Sequence, residues 1–354
     1  MNAVLDSIRE CIPSRISDKN GLSKITWLQA TGERLSEPFY YQTLEKLARK
    51  SVPQFETELE MLESLAELPK TKKPDAFIFH MSRCGSTLLT NCLRSIGDSI
   101  CVCEAEIFTQ LLMPYSQINW LAKKEKTIGS SADAEMSWEN KRARLLRGAM
   151  NVFGARASST QSRFFVKFTS WNVLFIQTIR NVFPDVPCWF VYRNPLEVMA
   201  SNLARHPRWW RLRFAPEECQ AYFGGDSQTT DASCDEEFCA RCLHAFCNAI
   251  LDAIDDRTLL FRYEKIDRHF ISEIAISLGA HEDEIDTQRL HNILTTYSKD
   301  SSGSEIFIPD GDNKRRHASE AAREYAKLIL EPVIAKLDRL ENSRRKTFIH
   351  PSTS

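Results

Sequence analysis

The chain has no long apolar run. Nothing in its 354 residues approaches the roughly 20 consecutive apolar residues that cross a bilayer, and the opening stretch, MNAVLDSIRECIPSR, has no apolar centre of the kind that directs secretion. A cytoplasmic protein with no membrane partner is expected. Net charge is nearly absent too: a formal −1 gives no general basic field, so nucleic acid is not an expected partner and small or neutral molecules are favoured over polyanions. With 43% hydrophobic and 26% charged residues, the chain has globular composition and length for one large domain, or one domain plus an extension. Its eleven cysteines are odd in number and scattered through expected strands and helices, which fits reduced thiols better than a disulfide framework. Cys239 and Cys242 form a CxxC without a matching second pair, inside a stretch that reads as amphipathic helix. Packed thiols are expected there, and no metal.

What the chain does have is a cradle for an anion. Residues 75–93, DAFIFHMSRCGSTLLTNCL, give a short buried-strand run, a tight polar turn and a helix start. Amides at such a helix start converge on an anion, the helix dipole adds partial positive charge, and Gly85 lets the backbone come close. Arg83 adds a fork of donors. A Walker-type loop would need Gly-Lys-Ser/Thr, and this turn holds no lysine. Cys84 is no phosphatase nucleophile either, because Thr90 stands where such a site requires an arginine.

A second stretch, VPCWFVYRNPLEVMAS at 186–201, is again strand, turn and helix, with Pro195 suited to a first helical position. The two stretches, RCGSTLL at 83–89 and RNPLEVMAS at 193–201, together resemble the donor-binding motifs of sulfotransferases that use 3'-phosphoadenosine 5'-phosphosulfate (PAPS). The resemblance implies that Arg83, Cys84, Gly85, Ser86, Thr87 and Leu88 hold the 5'-phosphosulfate. It implies also that Arg193 and Ser201 clamp the 3'-phosphate, so that adenosine 3',5'-bisphosphate (PAP) is the product.

The same resemblance places a base after the second strand of the sheet, where ligand groups of parallel α/β sheets cluster. Glu104 is the first candidate and Glu106 the second; either can instead be an acid stabilising a helix start by about 0.3–1 kcal/mol. A histidine base is not matched, since no histidine lies between His80 and His206. Lys167, at the end of a strand over 163–168, is either a donor-side charge or a structural lysine, and Trp171 either stacks on adenine or covers the core. Lys314, Arg315 and Arg316 lie where relatives close a basic loop over the 3'-phosphate, although the usual Arg-Lys-Gly is absent. Which of the three reaches the ligand is open.

The expected fold is three-layer α/β/α with a central parallel sheet, similar to sulfotransferases and P-loop NTPases, over 74–345. A helical N-terminal extension is expected over 1–73, with helices at 38–49 and 53–68, and a C-terminal tail over 346–354. The extension packs, shapes an acceptor entrance or mediates homodimerisation. Residues 203–235 read as a long loop with exposed aromatics, a lid, or as a helix anchored by tryptophans. Tyr263 and Glu264 resemble an Arg-Tyr-Glu segment of the family and are expected to be architectural. Transfer of a sulfuryl group to a small acceptor is the function this implies. An ATP-dependent small-molecule kinase and a non-catalytic nucleotide-binding protein are the alternatives.

Overall fold

The computed structural model describes residues 10–19, 22–113, 132–160, 163–224, 228–296, 298 and 310–349. It begins with β1 (Cys11–Lys19), β2 (Leu22–Gln29), α1 (Tyr40–Arg49), β3 (Gln54–Glu58), α2 (Leu59–Ser64), β4 (Ala76–His80) and α3 (Ser86–Leu93). Then follow β5 (Ile100–Cys103), α4 (Glu106–Leu112), α5 (Ala132–Thr160), β6 (Phe164–Lys167), α6 (Ile176–Val182), β7 (Cys188–Tyr192), α7 (Pro195–Ala204) and α8 (Pro216–Phe223). The remainder is α9 (Asp235–Asp252), β8 (Thr258–Arg262), α10 (Arg268–Ser277), α11 (Thr287–Thr295), α12 (Gly311–His317), α13 (Glu320–Tyr325) and α14 (Glu331–Ile349).

Five strands make a parallel sheet in the order β5-β6-β4-β7-β8, flanked by helices. This is the expected α/β class. Residues of β4, β6 and β7 are buried along their whole length, which is why they read as unbroken apolar runs and not as alternating ones. The register pairs His80 with Val191 and Val191 with Phe261, so the loops that follow β4, β7 and β8 leave the sheet on one edge.

The N-terminal stretch is only partly helical. α1 forms as expected, but 54–58 is a strand where a helix is expected, and β1, β2 and β3 build an antiparallel sheet. Pairing with distant residues overrides local preference there: Trp27 Nε1 donates to Thr57 Oγ1 at 2.8 Å, and its ring stacks on Phe55. Aromatic and β-branched residues suit such a pleated surface.

The chain forms two compact units. The first comprises the described residues within 1–75, 98–168 and 178–186, so the N-terminal sheet shares a unit with β5 and β6. Tyr40, Phe108, Phe153 and Phe168 pack edge-on or tilted at its core. The second unit comprises those within 76–97, 169–177 and 187–354, with Trp209, Phe238 and Phe246 in one cluster and Trp189, Phe261 and Phe270 in another.

Those tryptophans decide between the two readings of 203–235. Trp209 and Trp210 are buried in a 3-10 turn (Arg208–Phe214), and His206 stacks on Trp210, so the segment is anchored; Phe214 alone of these aromatics is largely exposed. Cys239, Cys242 and Cys247 are buried in α9, where burial raises all three thiols well above the ordinary range. Among the described residues no three His, Cys, Asp or Glu side chains are grouped to hold a metal ion. Among them, too, no helix is long and apolar enough to cross a membrane.

Candidate functional site

The turn between β4 and α3 holds three residues at positive φ. Ser82, Arg83 and Gly85 have φ of +72°, +44° and +87°, a conformation that costs a non-glycine residue about 1–2 kcal/mol and is held only where the surroundings over-determine it. The surroundings do so here. Ser82 N–H donates to His80 Nδ1 at 3.2 Å, its hydroxyl donates to Asn202 Oδ1 at 2.9 Å, and the buried Cys84 thiol donates to the Val191 carbonyl at 3.0 Å. Cys84 therefore faces the sheet, and anything it offers an anion comes from its backbone. Gly85 is the N-cap of α3 and brings no capping side chain to the first-turn amides, which is the arrangement of an anion-directed helix start.

Gly85 is required for a reason the sequence did not give. A Cβ at this position would collide with Cδ2 and Cε2 of Tyr263. The tyrosine ring thus lies directly on the loop, and the Arg193 guanidinium lies 4.2 Å from the ring centroid. Tyr263, expected to be architectural, touches both the turn after β4 and the residue that follows β7.

Arg193 follows β7 and is fixed by three neighbours. Its Nε and Nη2 donate to Glu197 Oε2 at 2.8 and 2.6 Å, Tyr263 supports its plane, and its backbone N–H meets Met81 Sδ at 3.5 Å. Asn194 caps α7, accepting from the amides of Leu196 and Glu197, and Pro195 takes the first helical position as expected. Glu197 and Ser201, one turn apart, share a face of α7, and Arg193, which precedes the N-cap, reaches Glu197 with its side chain. Its side chain is only 5% exposed, and its second oxygen accepts from Arg315 Nη1.

The three residues of the basic triplet differ in their surroundings. Arg315 on α12 shares Glu197 with Arg193 and also pairs with Asp312. Lys314 is instead paired with Asp310 at 2.8 Å, and Arg316 is exposed. Sequence reasoning missed Glu197 because an acid in a first helical turn reads as a complement to the dipole; its spacing of four from Arg193 was the available signal.

The first unit holds the remaining candidates. Glu104, just past β5, has φ of +58°, so it too is held in the left-handed region. Its Oε1 lies 2.9 Å from Nζ of Lys167, whose side chain is wholly buried while Glu104 is 25% exposed. The same residues are joined through the backbone, Glu104 N–H donating to the Lys167 carbonyl at 2.7 Å, and Phe39 presents its ring 4.9 Å from the ammonium. Glu106 opens α4 and is an acid in its first turn, the role given to it as the alternative.

Trp171 is buried against Tyr222, with Arg211 over its ring, so it covers the core. Residues 225–227 of the stretch 203–235 and the last five residues of the expected tail lie outside the described residues; 346–349 belong to α14.

The chain is thus an α/β protein with a parallel sheet; one unit carries the turn of Arg83 and Gly85 and the Arg193–Glu197–Arg315 cluster, and the other carries the ion-paired Glu104. No family model matches the chain, and no curated protein matches it by sequence. Among solved structures it is similar to sulfotransferase STF1 from Mycobacterium tuberculosis, at 16% identity and a TM-score of 0.36 over 72% of this chain and 81% of that one. A sulfotransferase domain from the curacin biosynthetic pathway is similar at 13% identity and TM-score 0.36, over 77% and 98% of the two chains. Sulfotransferase STF9 from Mycobacterium avium is similar at 13% and 0.35, over 75% and 78%.

Proposed function

We propose that the protein is a sulfotransferase that moves a sulfuryl group from PAPS to a hydroxyl or amine of a small acceptor. One observation carries the reading: Arg193 and Arg315 converge on one point beside the loop of Arg83 and Gly85. A ligand with two separated phosphates needs two such anion sites, and an ordinary nucleoside monophosphate needs one. In this reading Arg83 and the amides and hydroxyls of Ser86 and Thr87 hold the 5'-phosphate, and Arg193, Arg315 and Ser201 take the 3'-phosphate.

The donor supplies the sulfuryl group on its 5'-phosphate. Glu104 is the base in this reading: it accepts the acceptor's proton as the acceptor oxygen or nitrogen bonds to sulfur. The bond from sulfur to the 5'-phosphate oxygen breaks with its electron pair on that oxygen, where Arg83 and the loop donors stabilise the charge. A positioned base contributes typically ~10²–10⁴-fold. In this reading Lys167, whose Nζ lies 2.9 Å from Glu104 Oε1, orients the carboxylate.

The test is calorimetric titration with PAP, AMP and ATP, with and without magnesium, on wild type and Arg193→Ala. Metal-independent preference for PAP, lost in the variant, is expected. Preference for magnesium-ATP would overturn the donor assignment in favour of a kinase.

A further inference from the structure

Two arginines that are to receive a phosphate should repel each other, yet here they are joined. The joint is Glu197, a carboxylate almost out of contact with water, each of whose oxygens serves a different guanidinium. Resting on the PAPS reading above, we infer that Glu197 is the positioning residue of the 3'-phosphate clamp: an internal anion that builds the clamp before ligand arrives and ties α12 to α7.

The donor inventory supports this. A guanidinium has five N–H donors. Arg193 commits Nε and Nη2 to Glu197, which leaves Nη1 for a ligand, with the plane fixed by the Tyr263 ring. Arg315 has its Nη1 on Glu197 and its Nη2 on Asp312, a residue that is itself largely exposed. Glu197 is therefore the buried anchor of Arg315, and Asp312 is a contact that water competes with. Without Glu197 the two cations lose their common counter-charge, and the long Arg315 side chain must be ordered by the ligand at the ligand's expense.

The backbone of α12 is fitted to the same carboxylate. A Cβ on Gly311 would lie 2.8 and 2.9 Å from Glu197 Oε1 and Oε2, closer than a carbon and an oxygen pack. Glycine lets the helix start against the carboxylate, so one residue sets the position of both the helix and its arginine. A mere surface ion pair would require neither the burial nor the glycine.

The inference makes a prediction opposite to simple electrostatics. Removing a negative charge from an anion site should tighten phosphate binding if the carboxylate only competes with the ligand. If Glu197 positions the clamp, Glu197→Gln weakens PAP by at least roughly tenfold, the scale of one lost charge-assisted contact, and leaves AMP unchanged. The ratio of PAP to AMP affinity is the readout, because general damage to the fold lowers both together. Gly311→Ala is the second variant. Alanine favours a helix over glycine, so a purely structural role predicts equal or better stability and an unchanged ratio, whereas crowding of Glu197 predicts a reduced ratio. Both titrations are read beside thermal unfolding of the same samples. A reduced ratio in both variants is the expected result. Wild type that prefers PAP while Glu197→Gln binds it equally or more tightly overturns the positioning role alone. Wild type that does not distinguish PAP from AMP overturns the donor reading on which it rests.

Discussion

Nζ of Lys167 lies 2.9 Å from Oε1 of Glu104, and the backbones of the same two residues are hydrogen-bonded at 2.7 Å. The pair is thus fastened twice. A wholly buried ammonium is costly unless it is paired, and removing one partner of such a pair costs more than replacing both.

Stability of the pair can be separated from its chemistry. Glu104→Gln is expected to destabilise the fold by about 3 kcal/mol, because a buried cation loses its counter-charge, and combining it with Lys167→Met should recover most of that loss. Urea unfolding of the two single variants and the double variant gives the coupling directly. Equal stability of Glu104→Gln and wild type would show that the buried ammonium does not depend on this carboxylate. On the proposed reaction both Glu104 variants lose turnover by ~10²–10⁴-fold, and full activity in either would remove Glu104 as the base.

Gly85 should tolerate nothing larger. Gly85→Ala meets the Tyr263 ring and places a side chain at φ +87°, and overpacking of this kind costs about 1–3 kcal/mol. Tyr263→Ala in the same chain should restore part of the stability, leaving the backbone penalty. Chemical denaturation measures it; an additive double variant would mean that ring and loop do not interact.

One acidic group should govern part of the response to low pH. Ser233, through its hydroxyl and its amide, and the Arg241 guanidinium hold Glu237 on α9 down to about 2 from an ordinary 4.5. The folded value lies below the unfolded one, so this stabilisation is complete above about pH 4.5 and drains away as pH falls from there toward 2. Glu237→Gln is expected to flatten the decline of stability across that window, with a loss of about 1.5–3 kcal/mol at neutral pH. Thermal unfolding between pH 3 and 7 checks it. A parallel offset of variant and wild type at every pH would show that the group does not titrate with folding.

The parallel sheet was legible in the sequence because its strands are buried on both faces, so AFIFH and CWFVY advertise themselves without reference to any partner. β3 was not legible. Its QFETE is almost entirely exposed, and what makes it a strand is β2, which lies elsewhere in the chain. The two strand-turn-helix stretches could be found because their signals are local: an arginine, a glycine and two hydroxyls in sequence in the first, an arginine before a helix-starting proline in the second. Glu197 and Tyr263 were hidden for the converse reason. Each is ordinary in its own segment, and its role exists only through Arg315 in one case and Gly85 in the other, residues more than a hundred positions away.

The N-terminal sheet has a bearing on where the polypeptide can be cut. Gln110 of α4 uses its amide like a piece of backbone, accepting from Ile16 N–H and donating to the Ile16 carbonyl, both at 2.8 Å. Arg156 of α5 donates to the carbonyls of Ala30 and Glu33. A fragment starting at residue 74 would retain every motif of the parallel sheet and still be an unfinished object, with a guanidinium and an amide in its interior whose partners had been left behind.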